Sequence, residues 1–171
     1  MIEKRLRYPT VLFDWGDTVM RDRPEITIPM VKWEAVEVIE GIADVLEYLH
    51  STKRRIILAT SAAISDEGQI RGAIRRGGLD IYFSNIYCFK NTNLPKSEEF
   101  YRHILSELDI SASESLMIGD GFEKDVEIPN HLGIFAVWFN PGSEETRKGN
   151  LHSTAHSMQA VQEFFKSLDQ E

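Results

Sequence analysis

The segment Val11-Leu-Phe-Asp-Trp-Gly-Asp-Thr-Val19 decides the fold, because an apolar run ends abruptly on two carboxylates, Asp14 and Asp17, with Gly16 between them and Thr18 behind. A short apolar run bounded by polar and turn-forming residues has the pattern of a strand buried on both faces. Four more such runs follow: Arg55–Ala59, Asn85–Phe89, Ser115–Gly119 and Ile134–Phe139. Between them, stretches beginning at Ile42, Ser65, Ser97 and Glu123 space apolar residues three and four apart, as helices packed on a sheet require. A final helix carries Met158, Val161, Phe164, Phe165 and Leu168 on one stripe. The alternation predicts an α/β fold: a three-layer sandwich around a doubly wound, mainly parallel, five-stranded Rossmann-like sheet. Residues 140–154 read as a loop or short helix ahead of that final helix.

The 171 residues suit a single domain spanning 1–171, and 42% apolar content suffices for one core. No apolar run approaches the roughly 18 residues that suggest a membrane span. The N-terminus has charges without an apolar stretch behind them, so no secretory signal is expected. The lone Cys88 fits a buried thiol in a reducing, cytoplasmic setting. A net charge of −8 argues against nucleic acid as a main partner. A homo-oligomer is left open.

In an open parallel sheet, ligands bind beyond the carboxyl ends of the strands. Asp14 ends the first run, Thr60 and Ser61 the second, and Asp120 the fourth, with Asp125 five residues on. Lys90 and Lys96 both follow the third. Two aspartates on one rim repel unless a cation lies between them, and Mg²⁺ takes carboxylate, water and phosphate oxygens. A lysine and the Thr60 hydroxyl would then meet a phosphoryl group. The set suits phosphoryl transfer.

In this order the residues resemble the four motifs of the haloacid dehalogenase superfamily, whose first motif, D-x-D-x-T, is similar to Asp14 through Thr18. Thr60, with Ser61 behind it, resembles the second motif, Lys96 the third with Lys90 as runner-up, and Gly119, Asp120 and Asp125 the fourth. The resemblance implies a Mg²⁺-dependent phosphohydrolase in which Asp14 forms an aspartyl-phosphate. It further implies that Asp14, the Gly16 carbonyl, Asp120 and Asp125 serve the metal, and that Thr60, Ser61 and Lys96 hold the phosphoryl oxygens. The substrate would be a phosphorylated small molecule or phosphoprotein.

The first motif departs from the phosphatase pattern at Gly16, where those enzymes carry a second aspartate as general acid and base. Asp17, one residue on, is the nearest substitute. A slow enzyme and a degenerate module that binds Mg²⁺ and phosphate without turnover are both open on this reading. A phosphoacceptor receiver domain fits less well, because the third apolar run ends without an aspartate; a 2-haloacid dehalogenase would need a more enclosed pocket. The gaps after Thr18 and after Thr60 leave no room for an inserted cap domain. Residues 20–33 are expected to form a short flap, with Arg21 and Arg23 as candidate contacts to an anionic substrate.

Overall fold

The computed structural model describes residues 5–171. Six strands, all parallel, form one sheet in the order β3-β2-β1-β4-β5-β6. They are β1 (Thr10–Phe13), β2 (Arg55–Ala59), β3 (Asn85–Tyr87), β4 (Ser115–Gly119), β5 (Phe135–Phe139) and β6 (His152–Ala155). The principal helices are α1 (Ile42–Ser51), α2 (Glu67–Arg76), α3 (Phe89–Thr92), α4 (Glu98–Leu108), α5 (Ile128–His131) and α6 (Met158–Gln170). Among the described residues, no helix is long and apolar enough to cross a membrane.

Strand alternation divides the core between two helical layers. Val11, Phe13, Ile56, Leu58, Leu116, Ile118, Val137 and Phe139 face the layer of α1, α2 and α6. Leu12, Ile57, Ala59, Met117, Ala136 and Trp138 face the opposite layer, where α4 contributes Phe100, Tyr101 and Ile104. Within each strand successive side chains therefore enter different cores, which is why the sequence shows unbroken apolar runs. The stripe on α6 packs as its spacing requires, with Met158, Val161 and Phe165 buried and Phe164 and Leu168 partly buried. Cys88 is a buried free thiol in the same layer.

Three expectations need correction. The sheet has six strands, because His152–Ala155, inside the segment read as a loop, pairs with β5 along the edge. Three of its four residues are half-exposed, so the apolar signature of a central strand is missing. The third strand ends at Tyr87 rather than Phe89. There the Asn91 side chain accepts from the Cys88 N–H at 2.8 Å, and the Thr92 hydroxyl donates to the Cys88 carbonyl at 2.7 Å, which turns the chain into α3. The helix expected from Glu123 begins as a π-helical turn, Glu123–Glu127, before α5. Pro129 lacks the N–H that an α-helical bond to residue 125 would need.

Candidate active site

The sheet order reverses at β1, with β2 and β3 on one side and β4 to β6 on the other. The crevice where α/β sheets bind ligands therefore lies at the carboxyl ends of β1 and β4. Phe13 is level with Leu58 and Ile118, so Asp14 emerges beside Ala59 and Gly119, one step below Thr60 and Asp120. The Asp14 N–H continues the ladder to the Ile118 carbonyl at 2.9 Å, and only then does the chain turn. The Trp15 carbonyl accepts from the N–H groups of residues 18, 19 and 20 in that turn.

A cavity of about 320 Å³ opens there, and Asp14, Gly16, Asp17, Thr60, Ser61, Lys96, Asp120 and Asp125 all line it. The residues singled out in the sequence for nucleophile, metal and phosphate thus converge on one space, whereas Lys90, Arg21 and Arg23 do not. That lysine is exposed on α3 and lies outside the lining. Arg21 pairs with Glu37 at 3.2 Å, and neither Arg21 nor Arg23 lines the cavity.

Lys96 stands at the centre. Its ammonium lies 3.0 Å from Asp14 Oδ1 and 2.5 Å from Asp125 Oδ1, and its side chain is almost wholly shielded from water. Burial alone would lower its pKa, but Asp125 and Asp14 outweigh burial and hold the ammonium well above its usual value. Carboxylate oxygens of Asp14, Asp120 and Asp125 all lie within 4.8 Å of one another. Burial, followed by the neighbouring Asp14, pushes Asp120 up to about 7. Burial raises Asp125 too, against the pull of Lys96. One ammonium thus compensates two acids of a cluster of three, and the all-oxygen donor set fits a hard divalent cation.

The supporting contacts come from several elements. Thr18 donates its hydroxyl to Asp120 Oδ1 at 3.2 Å, and the Trp138 indole N–H donates to the Asp120 carbonyl at 2.9 Å. The Gly121 N–H donates to Asp125 Oδ2 at 2.9 Å. The π-helical turn sets the Asp125 carboxylate across Gly119, where a β-carbon would overlap it; glycine is required there by close approach. Thr60 Oγ1 accepts from the Ala62 N–H at 3.1 Å, which leaves its proton to donate.

Asp22 and Lys124, which the sequence reading did not single out, also line the cavity. A β-carbon on Gly16 would lie 3.2 Å from the Asp22 β-carbon and 3.5 Å from its Oδ2, so Asp22 occupies the space beside Gly16. Its approach depends on Asp17, whose backbone is left-handed (φ 58°) and whose Oδ1 accepts the Asp22 N–H at 3.0 Å. No local spacing rule signals an acid returning from a turn six residues later.

The profile of the haloacid dehalogenase-like hydrolases matches residues 19–139. The chain belongs to this family. The matched span contains Thr60, Lys96, Asp120 and Asp125 and begins five residues after Asp14. Among curated relatives, the pyrimidine 5'-nucleotidase PynA of Streptococcus pneumoniae is 26% identical over 107 residues, covering 61% of this chain. The chain spans 44% of the length of that relative. Among solved structures, an uncharacterized protein from Listeria monocytogenes superposes with a TM-score of 0.80 at 21% identity, covering 95% of this chain and 99% of that one. A haloacid dehalogenase-like family hydrolase from Xanthomonas campestris gives 0.73 at 16% identity, covering 97% and 98%. YfnB from Bacillus subtilis, solved bound to magnesium, gives 0.73 at 15% identity, covering 93% and 99%. At these identities the structural likeness establishes the family fold alone.

Proposed function

We propose that this chain is a capless, Mg²⁺-dependent phosphohydrolase that acts through an aspartyl-phosphate on Asp14. The observation that carries the reading is the convergence of three carboxylates within 4.8 Å of one another, with a buried ammonium against two of them. Asp14, Asp120 and Asp125, with the Gly16 carbonyl, would hold the cation. Bound Mg²⁺ supplies charge neutralisation for the phosphoryl group and the attacking carboxylate. Lys96 fixes the Asp14 carboxylate and, with the hydroxyls of Thr60 and Ser61, receives the phosphoryl oxygens. Lys124 adds positive charge to the lining.

Proton transfer goes to Asp22 in this reading, with Asp17 holding the turn that presents it. Asp14 bonds to phosphorus as the bond to the organic oxygen breaks, and that oxygen takes the proton of Asp22 and leaves as an alcohol. Asp22 then takes a proton from water as the water oxygen attacks phosphorus. The aspartyl bond breaks and inorganic phosphate is released. The PynA match makes nucleoside monophosphates a natural part of a substrate panel.

The test is Mg²⁺-dependent release of phosphate from a panel of phosphomonoesters by wild type and Asp14→Asn. Turnover by wild type alone, with acid-stable phosphoprotein trapped only when Asp14 is present, upholds the reading; equal inertness of the two proteins overturns it. The missing side chain at Gly16 favours a second reading, a module that binds Mg²⁺ and phosphate without turnover, and that reading holds if the phosphoprotein forms and persists.

A further inference from the structure

The acidic cavity adjoins a second one of about 290 Å³, and the two share Trp15, Asp22, Met30 and Ala62 as lining. Away from the carboxylates the wall becomes apolar, with Ile26, Ile28, Trp33 and Ile64. Ile28 and Ile64 are 50% and 51% exposed, so two large aliphatic side chains meet water beside a charged pocket. The wall is held in place: the Arg76 guanidinium donates to the carbonyls of Val31 (3.0 Å), Trp33 (2.6 Å) and Glu34 (3.1 Å), and the Trp33 indole N–H donates to the Ile28 carbonyl at 3.0 Å. Trp15 is 5% exposed, and its indole N–H has no partner among the described residues. A buried donor without an acceptor costs free energy that a ligand acceptor would return.

From these observations we infer that the second cavity is the leaving-group subsite, and that it takes a neutral, flat, apolar group, an aromatic or heteroaromatic ring bearing a hydrogen-bond acceptor. This rests on the hydrolase reading and names its substrate class. With phosphorus at Asp14, the organic part of an ester continues past Asp22 into the cleft, since Asp22 lines both spaces. Its volume lies at the small end of the roughly 300 to 1,000 Å³ usual for ligand pockets, which suits one ring system. The carboxylate at the junction disfavours a second anionic group there, so bisphosphates and phosphorylated acids are poor substrates.

Two primary alkyl esters with similar leaving groups test this: ethyl phosphate and 2-phenylethyl phosphate. The expected kcat/KM ratio favours the phenyl ester by at least about tenfold in wild type, the range that one apolar contact supplies. Ile64→Ser should lower that ratio several-fold. A ratio near one in wild type, or one that Ile64→Ser does not move, overturns the subsite while leaving the hydrolase reading intact. If wild type hydrolyses neither ester faster than Asp14→Asn, the hydrolase reading is decided by the wider panel and the cleft is judged by binding alone. Tighter binding of 2-phenylethylphosphonate than of ethylphosphonate, followed by tryptophan fluorescence, then upholds it; equal binding overturns it.

Discussion

Lys96 is the point at which stability and chemistry are most tightly joined, and Lys96→Met tests the connection. The substitution keeps a long unbranched side chain but removes the charge that compensates Asp125, whose side chain is 3% exposed, and Asp14, at 13%. Removing one partner of a buried ion pair costs about 3 to 5 kcal/mol, because the remaining charge stays desolvated and unpaired. In a domain of this size about 1 kcal/mol moves Tm by roughly 2 to 4 °C, so the metal-free variant should melt about 6 to 20 °C below wild type. Asp125→Asn should also destabilise, by leaving the ammonium short of a partner. The double variant should lose less than the sum of the two singles, with a coupling of about 0.5 to 3 kcal/mol. Urea unfolding of the four proteins in chelator closes the cycle. A Lys96→Met protein melting within 2 °C of wild type, or strict additivity in the cycle, would refute the claim that this pair is compensated charge.

Other expectations follow from the same contacts. Asp22→Asn should cut kcat/KM, which reports the first displacement, by about 10² to 10⁴ on alkyl phosphates while largely sparing kcat/KM on 4-nitrophenyl phosphate, whose leaving group needs no proton; equal losses of kcat/KM on both would remove Asp22 from leaving-group protonation. With Asp120 raised to about 7 in the fold, the native state binds its proton more tightly than the unfolded chain does. Its contribution is therefore fully present below the ordinary carboxylate pKa and is lost as pH rises through about 7, so metal-free protein should weaken over that window and added Mg²⁺ should offset the loss. Thermal melts from pH 5 to 8 with chelator or Mg²⁺ measure both effects. Arg54, fully buried, donates to Asp169 at 2.6 and 2.9 Å and to the carbonyls of Arg7 and Tyr8, tying α6 to the segment before β1. Arg54→Met should cost about 3 to 5 kcal/mol in urea unfolding. Gly119→Ala should push Asp125 aside and weaken Mg²⁺ binding by calorimetry more than it lowers Tm.

Much of this was legible in the residue order. Five strands announced themselves because each is apolar on both faces, and the site residues were found by asking which polar groups terminate them. The rule that exposed Asp14, Thr60 and Asp120 works because a parallel sheet delivers strand ends to one rim. It has no purchase where the determinant is not local. The edge strand β6 is polar, and its Thr154 hydroxyl is engaged with the backbone of Arg147 at 2.9 and 2.8 Å, so it carries loop chemistry while forming sheet. Lys96 was expected to meet phosphate and Asp125 to serve a metal, yet in the structure they face one another, a pairing that only the docking of α4 beside the π-helical turn creates. Asp22 reaches Gly16 through a left-handed residue and a side-chain hydrogen bond, neither of which leaves a periodic trace.

The carbonyls clasped by Arg76 have a consequence for how the molecule can diverge. The wall proposed to meet the substrate's organic half hangs in part from the last residue of α2, whereas the groups proposed to react follow the ends of β1, β2 and β4 and precede α4. Positions 26 and 28 lie on the segment held by Arg76, so their side chains can be exchanged without disturbing the lysine and its acids, whereas Ile64 shares the loop after β2 with Thr60 and Ser61. Selectivity on that segment is thereby transplantable: grafting residues 24–30 of a relative, with Asp22 and the arginine clasp retained, should hand over preference while leaving reactivity where it was.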